Sequence, residues 1–237
     1  MIVVYQNCNT RWYSGAGIIR DVIYINVPQI YLINDGIYFS AIPQDKEKLD
    51  GKWIVKISSE IEGNSEGCSI THTILDQKNN IFAQFEKDGD NFVVTAPHLW
   101  DIKDPYFFYL KTELKDNNGV LLDKIIQHCG FKYVEFTNND GFFLNGRHVK
   151  LFVACHHHDH GALGAAFDKE AQRRQFKKLK EMGVNSIRCS HNPPPSAWMD
   201  LCDEMGIMIV DEAFDISKNG VKLIQQIGFV EIEIIQI

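Results

Sequence analysis

A change of hydrophobic period near residue 140 most constrains what this chain can fold into. Before it, short apolar segments start 11 to 16 residues apart: GIYFSAI (36–42), KWIVKISSEI (52–61), CSITHTIL (68–75), NIFAQFE (80–86) and NFVVTAP (91–97). They are rich in β-branched and aromatic residues, and turn-like stretches such as EGNSEG and KDGDN separate them. PYFFYLKTEL (105–114) and VLLDKIIQHCGFKYVEF (120–136) continue the series around KDNNG. Strands at this spacing predict an antiparallel β-sandwich of immunoglobulin-like size.

After residue 140 the period lengthens. HVKLFVA (148–154) reads as a buried strand, and DKEAQRRQFKKLKEM (168–182) as an amphipathic helix. Asp168 is its expected N-cap, Phe176, Leu179 and Met182 share a face, and Gly183 stops it. VNSIRC (184–189) is a second strand, SAWMDLCDEM (196–205) a helix capped by Ser196 and stopped by Gly206, and IMIVDE (207–212) a third strand. Strand, helix, strand, helix, strand is a parallel βαβαβ unit. Three polar clusters, HHHDHG, SHNPPP and DEAFD, each follow one of these strands. Parallel strands put all three clusters on one edge, which in a (β/α) barrel carries the active site.

Each cluster admits more than one chemistry. Alternate residues of a strand share a face, so His156 with His158, or His157 with Asp159, form pairs that suit a metal. The same segment reads as a purely structural polar loop, or as a pocket where imidazoles bond hydroxyl groups. In RCSHNPPP the prolines stiffen the loop. Such a loop holds Arg188, His191 and Asn192 in place for hydrogen bonding, or merely connects strand to helix with its polar groups satisfying one another. Asp211 and Glu212 are strand neighbours that point to opposite faces. One faces the pocket while the other packs or pairs.

Composition narrows the partners. A net charge of −7 argues against nucleic acid or anionic membrane. No apolar run approaches the roughly 18 residues that span a bilayer, and MIVVYQNCNT lacks the basic-then-apolar layout of a signal peptide. The six cysteines are scattered with no Cys-x-x-Cys pair, which fits buried thiols better than a disulfide framework.

Taken together, FFLNGRHVKLFVACHHHDHGALGAA (142–166), LKEMGVNSIRCSHNPPP (179–195) and DLCDEMGIMIVDEAFD (200–215) resemble glycoside hydrolase family 2, the β-galactosidase group. RWYSGAGIIRDV (11–22) and HLWDIKDPYFFYLKTEL (98–114) extend the likeness over nearly the whole chain to about Asp215. The resemblance implies the end of a jelly-roll sugar-binding domain over 1–22 and an immunoglobulin-like β-sandwich over 23–137. The first βα units of a (β/α)8 TIM barrel would occupy 138–216, and an atypical tail 217–237.

The family hydrolyses terminal β-linked sugars with retention, using two glutamates about 5–5.5 Å apart. The Asn-Glu motif that carries the acid/base glutamate does not occur in this sequence. The chain therefore reads as a stretch of a β-galactosidase-like enzyme, truncated at both ends and inactive alone. By motif, His157, Arg188, His191, Asn192 and Asp211 are expected to contact or shape the sugar pocket. His156 replaces the family's more usual asparagine, and His160 a commonly apolar residue. No cofactor and no metal ligand is expected in this chain, while a full-length member has room for a divalent cation. Expected partners are a β-galactoside or related glycoside, and other copies of the chain through an exposed barrel edge. The competing class is a non-catalytic carbohydrate-binding or protein-interaction module built on the sandwich. Compartment and choice of sugar stay open.

Overall fold

The computed structural model describes residues 20–190 and 193–212. They fall into two compact units, one formed by residues 25–150 and the other by the described parts of 1–24 and 151–235. No helix among the described residues is long and apolar enough to cross a membrane.

In the first unit, β1 (Tyr31–Pro43), β2 (Lys52–Glu62), β3 (Ser69–Leu75), β4 (Ile81–Phe85), β5 (Gly89–Thr95), β6 (Phe108–Lys115) and β7 (Leu121–Cys129) form two antiparallel sheets. Their orders are β1-β2-β5 and β4-β3-β6-β7. Period-2 alternation drives the pairing: Phe108, Leu110, Thr112 and Leu114 of β6 are buried, and so are Trp53, Val55 and Ile57 of β2. These side chains join one core drawn from both sheets, the sandwich that the sequence predicted. Phe131 sits at its centre, edge-on to Phe39, Trp53 and Phe108 at 5.4–5.9 Å between ring centroids. Each fully buried aliphatic or phenyl side chain contributes about 1.5–3 kcal/mol. The hairpin turns also follow local chemistry. Asp76 and Asp116 accept from backbone N–H groups two and four residues ahead, and Gly119 takes the left-handed φ of +79° that its turn needs.

The chain breaks where the sequence suggested continuity. The segment 120–136 divides at Gly130 into β7 and β8 (Val134–Thr137), and β8 begins a small sheet with β9 (Gly141–Leu144) and β10 (Arg147–His148). The single strand expected over 148–154 is two: β10 pairs antiparallel with β9, whereas β11 (Val153–His156) pairs parallel with a later strand. A chain that changes from an antiparallel to a parallel partner cannot keep one ladder running. Phe152 and Val153 are consequently exposed rather than buried.

The second unit alternates β11, α1 (Lys169–Glu181), β12 (Ser186–Cys189), α2 (Ser196–Met205) and β13 (Met208–Val210), with parallel sheet order β11-β12-β13. Asp168 caps α1 through its carboxylate, which accepts from Ala171 N at 2.7 Å. Phe176, Ile187, Trp198, Leu201 and Cys202 are the buried core between helices and sheet. Two local expectations shift. Pro195 rather than Ser196 is the N-cap of α2, and with no polar side-chain atom it gives no side-chain bond. Met182 is 78% exposed, since the helix ends at Glu181 and Gly183 turns the chain away at φ +91°.

His72 on β3 is completely buried in the sandwich. Its Nδ1 lies 2.9 Å from Thr112 Oγ1, and its Nε2 lies 2.9 Å from Asp88 Oδ1. Asp88, in the β4–β5 turn, also accepts from Ser59 N and Oγ on β2 at 3.0 Å each. One carboxylate thus ties an imidazole of one sheet to a strand of the other. Burial holds the His72 pKa below its ordinary 6.5, with Asp88 pulling the other way. The unfolded chain therefore takes up this proton first as pH falls. The stability His72 provides is complete above the unfolded value and is lost as pH drops from there toward the lower folded value. Urea unfolding at about pH 7.5 and about pH 5.5 should show wild type losing more stability than His72→Gln across that range. Parallel profiles would refute the assignment. Asp88→Ala should lower stability by about 1–3 kcal/mol at neutral pH.

Candidate functional site

Register fixes which side chains meet at the sheet's C-terminal edge. Cys155 of β11 pairs across to Arg188 of β12, and Arg188 to Val210 of β13. One residue on, His156 pairs with Cys189. Adjacent residues alternate faces, so the edge has two chemically different sides.

On the first side Arg188 is the hub. Its Nη1 donates to Ser190 Oγ at 3.2 Å and approaches Cys155 Sγ at 3.5 Å. Its Nε donates to Glu212 Oε1 at 2.6 Å, and its Nη2 reaches the same oxygen. The hydrogen bond to Cys155 and the Glu212 carboxylate raise the Arg188 pKa, so the guanidinium is a fixed positive centre. Both side chains keep partial exposure, 34% for Arg188 and 23% for Glu212. Charge-assisted bonds of this kind hold an orientation well.

On the second side, His156 and Cys189 face the helices. The His156 ring lies 6.0 Å from both Phe176 and Trp198. Burial, followed by the Asp211 charge and hydrogen bond, pushes the Cys189 thiol far up. Asp211 thus stands beside Cys189 and also accepts from Glu212 N at 2.9 Å. The acid on the arginine side is Glu212. Strand alternation in the sequence separated the two carboxylates correctly, but only the register shows which one reaches Arg188.

The histidine segment turns on its glycines. Gly161 and Gly164 both sit at φ +61° around a single 3-10 turn, Gly161–Leu163. Asp159 Oδ1 accepts from Gly161 N, and Gln175 of α1 donates to Asp159 O. His157 is half-buried, one residue beyond β11. Of the expected site residues, Arg188 is therefore joined to Cys155, Ser190 and Glu212, while His157 and Asp211 each follow the last residue of their strands. His191 and Asn192 lie outside the described residues. The flanking Ser190 is buried, and Pro193, Pro194 and Pro195 lead into α2. Cys155, Gln172 and Glu212 were not singled out as site residues from sequence. Glu212 lies two residues on from Val210, the cross-strand partner of Arg188, so finding it on that side needs the register.

The sequence model described as "Glycosyl hydrolases family 2" matches residues 41–132, and "Glycosyl hydrolases family 2, TIM barrel domain" matches 134–234. The chain is 35% identical to beta-galactosidase BoGH2A of Bacteroides ovatus, over 87% of this chain and 25% of the relative. It is 30% identical to a putative beta-glucuronidase of Formosa agariphila, over 87% of this chain and 20% of the relative. Among solved structures, a glycosyl hydrolase family 2 member from Bacteroides cellulosilyticus aligns with TM-score 0.78 and 28% identity over 93% of this chain and 32% of its own. A beta-glycosidase from Bacteroides vulgatus aligns with TM-score 0.75 and 29% identity over 84% and 27%. The chain therefore spans about a quarter of the length of the curated relatives it matches.

Thiol accessibility checks the edge geometry. Cys155 is exposed, whereas Cys129, Cys189 and Cys202 are buried. In a Cys8→Ser background, titration of the native protein with a chromogenic disulfide should show a fast-reacting equivalent that Cys155→Ser removes. Absence of any fast phase that Cys155→Ser removes would mean that the Arg188 side of the sheet is covered, since the half-buried Cys68 is present in both forms.

Proposed function

Because this chain belongs to glycoside hydrolase family 2, we propose that it supplies the immunoglobulin-like domain and the first βα units of a retaining β-glycosidase, β-galactosidase-like in its sugar. The observation that carries this reading is the Arg188–Glu212 pair at the C-terminal edge of three parallel strands, where barrel enzymes place their chemistry. In this reading residues 1–22 close a jelly roll, 23–137 form the sandwich, 138–216 open the barrel, and 217–237 are an atypical tail.

The residues proposed to bind the glycone are His157, Arg188, His191, Asn192 and Asp211. Arg188 is oriented by Glu212, and preorientation of a pocket residue raises affinity without new contacts. The sugar side needs no cofactor. Chemistry at the glycosidic bond takes two carboxylic acids on either side of it, and the Asn-Glu motif expected for one of them is absent from this sequence. The chain alone is accordingly a partial pocket that does not hydrolyse β-galactosides. β11 and β13 flank the three-stranded sheet, each paired on one side among the described residues, and unpaired strand edges promote association.

Two measurements test this. Purified chain, freed of contaminating enzyme, should release no nitrophenol from a nitrophenyl β-galactoside; steady release overturns the inactive-alone reading. Calorimetric titration with galactose and with glucuronate should show weak binding that Arg188→Ala weakens by about 1.5–3 kcal/mol, the range for a charge-assisted bond. Equal binding by wild type and Arg188→Ala would move the sugar contact off this edge and favour the sandwich-based binding module.

A further inference from the structure

The imidazoles at positions 156, 158 and 160 all line one cavity of about 290 Å³ within the second unit, and His157 is not among its lining residues. This is the i, i+2, i+4 spacing of a strand face carried past the strand's end. Gln172 of α1, Cys189 and Ser190 share the cavity, Phe167, Trp198 and the three prolines wall it with apolar surface, and Arg20 lines it with its guanidinium bonded to Pro193 O.

Two imidazole nitrogens in it bear on what the cavity binds. His156 Nε2 lies 3.2 Å from Gln172 Nε2 and 3.3 Å from Gln172 Oε1, so it accepts from the amide or donates to it according to its tautomer. Burial holds the pKa of that ring below its ordinary 6.5, opposed by Gln172 and Asp159 and reinforced by the neighbouring His160 and His157. His160 Nδ1 is buried and has no hydrogen-bond partner among the described residues. An unsatisfied buried nitrogen costs about 1–3 kcal/mol, and a ligand that takes its lone pair removes that cost. Both His156 and His160 stand where the sequence departs from the usual residues of the family it resembles.

We propose that His156, His158 and His160 bind a divalent transition metal of the zinc class inside this cavity. Neutral imidazoles suit zinc, nickel and copper over magnesium or calcium. Three protein ligands with water in the fourth position is a familiar zinc arrangement. The three rings are not already gathered into one coordination sphere. Binding therefore draws the 158–160 segment inward and releases His156 from Gln172. The site lies on the helix side of the sheet, separate from Arg188, and stands whether or not the chain binds a sugar.

The experiment uses the full chain with any polyhistidine tag removed and metal stripped by chelator. Zinc affinity is read by competition with a chromophoric chelator, and cobalt is used as a spectroscopic probe of tetrahedral nitrogen ligation. Wild type should take up one equivalent and develop tetrahedral cobalt bands. His156→Asn, which introduces the residue more usual in the family, and the loop variants His158→Ala and His160→Ala should each weaken zinc by about tenfold or more, with circular dichroism unchanged. His148→Ala, at an exposed position of the other unit, should bind as wild type does. No zinc binding tighter than about 0.1 mM, or affinity unchanged in all three cavity variants, overturns the proposal. So does a cavity that is stabilised by inorganic phosphate and not by zinc, which would make it an anion site.

Discussion

Side-chain alternation along three short parallel strands governs everything chemical in the second unit. Cys155, Arg188 and Glu212 fall to one side of the sheet, and His156, Cys189 and Asp211 to the other. A slip of one residue in any strand would exchange the two sets. Arg188 would then be driven among Phe176, Trp198 and Leu201, which are almost completely buried. Burying an unpaired guanidinium there is far more costly than losing a ladder bond. The hydrophobic layer under the helices therefore enforces the register, and the register places the polar edge.

That layer is held from the helix side as well. Arg173 Nη2 of α1 meets Glu204 Oε2 of α2 at 2.8 Å, Lys169 reaches the same carboxylate at 3.4 Å, and Lys180 donates to Met205 O. Partly exposed ion pairs add at most about 1 kcal/mol each. The buried cluster of Phe176, Ile187, Leu201 and Cys202 contributes more, at roughly 1.5–3 kcal/mol for each large side chain. Ion pairs set the helix register here, and apolar burial supplies the stability.

The sandwich solves a different problem. Its two sheets share a dry aromatic core around Phe131, yet a histidine is buried between them. The His72 ring is tolerated because both nitrogens have partners and because Asp88 reaches across from the turn. A buried polar group with complete hydrogen bonding fixes one packing among many, which an all-apolar interface of similar volume does less well.

The sequence alone determined the two kinds of layer, because periods of two and of about 3.6 are written directly into apolar spacing. It also determined the helix limits at Asp168 and Gly206, where capping chemistry is local. The likeness to a glycosidase family came from three polar clusters at strand ends, and their common edge followed from parallel topology. Only the tertiary structure decided which carboxylate, Asp211 or Glu212, meets Arg188. Only it parted the apolar run at 148–154 between two sheets, and sent His156, His158 and His160 to a cavity that His157 does not line. Those outcomes depend on register and on the partner across the ladder. Both are long-range choices, set by which buried surface fits which, and no window of neighbouring residues contains them.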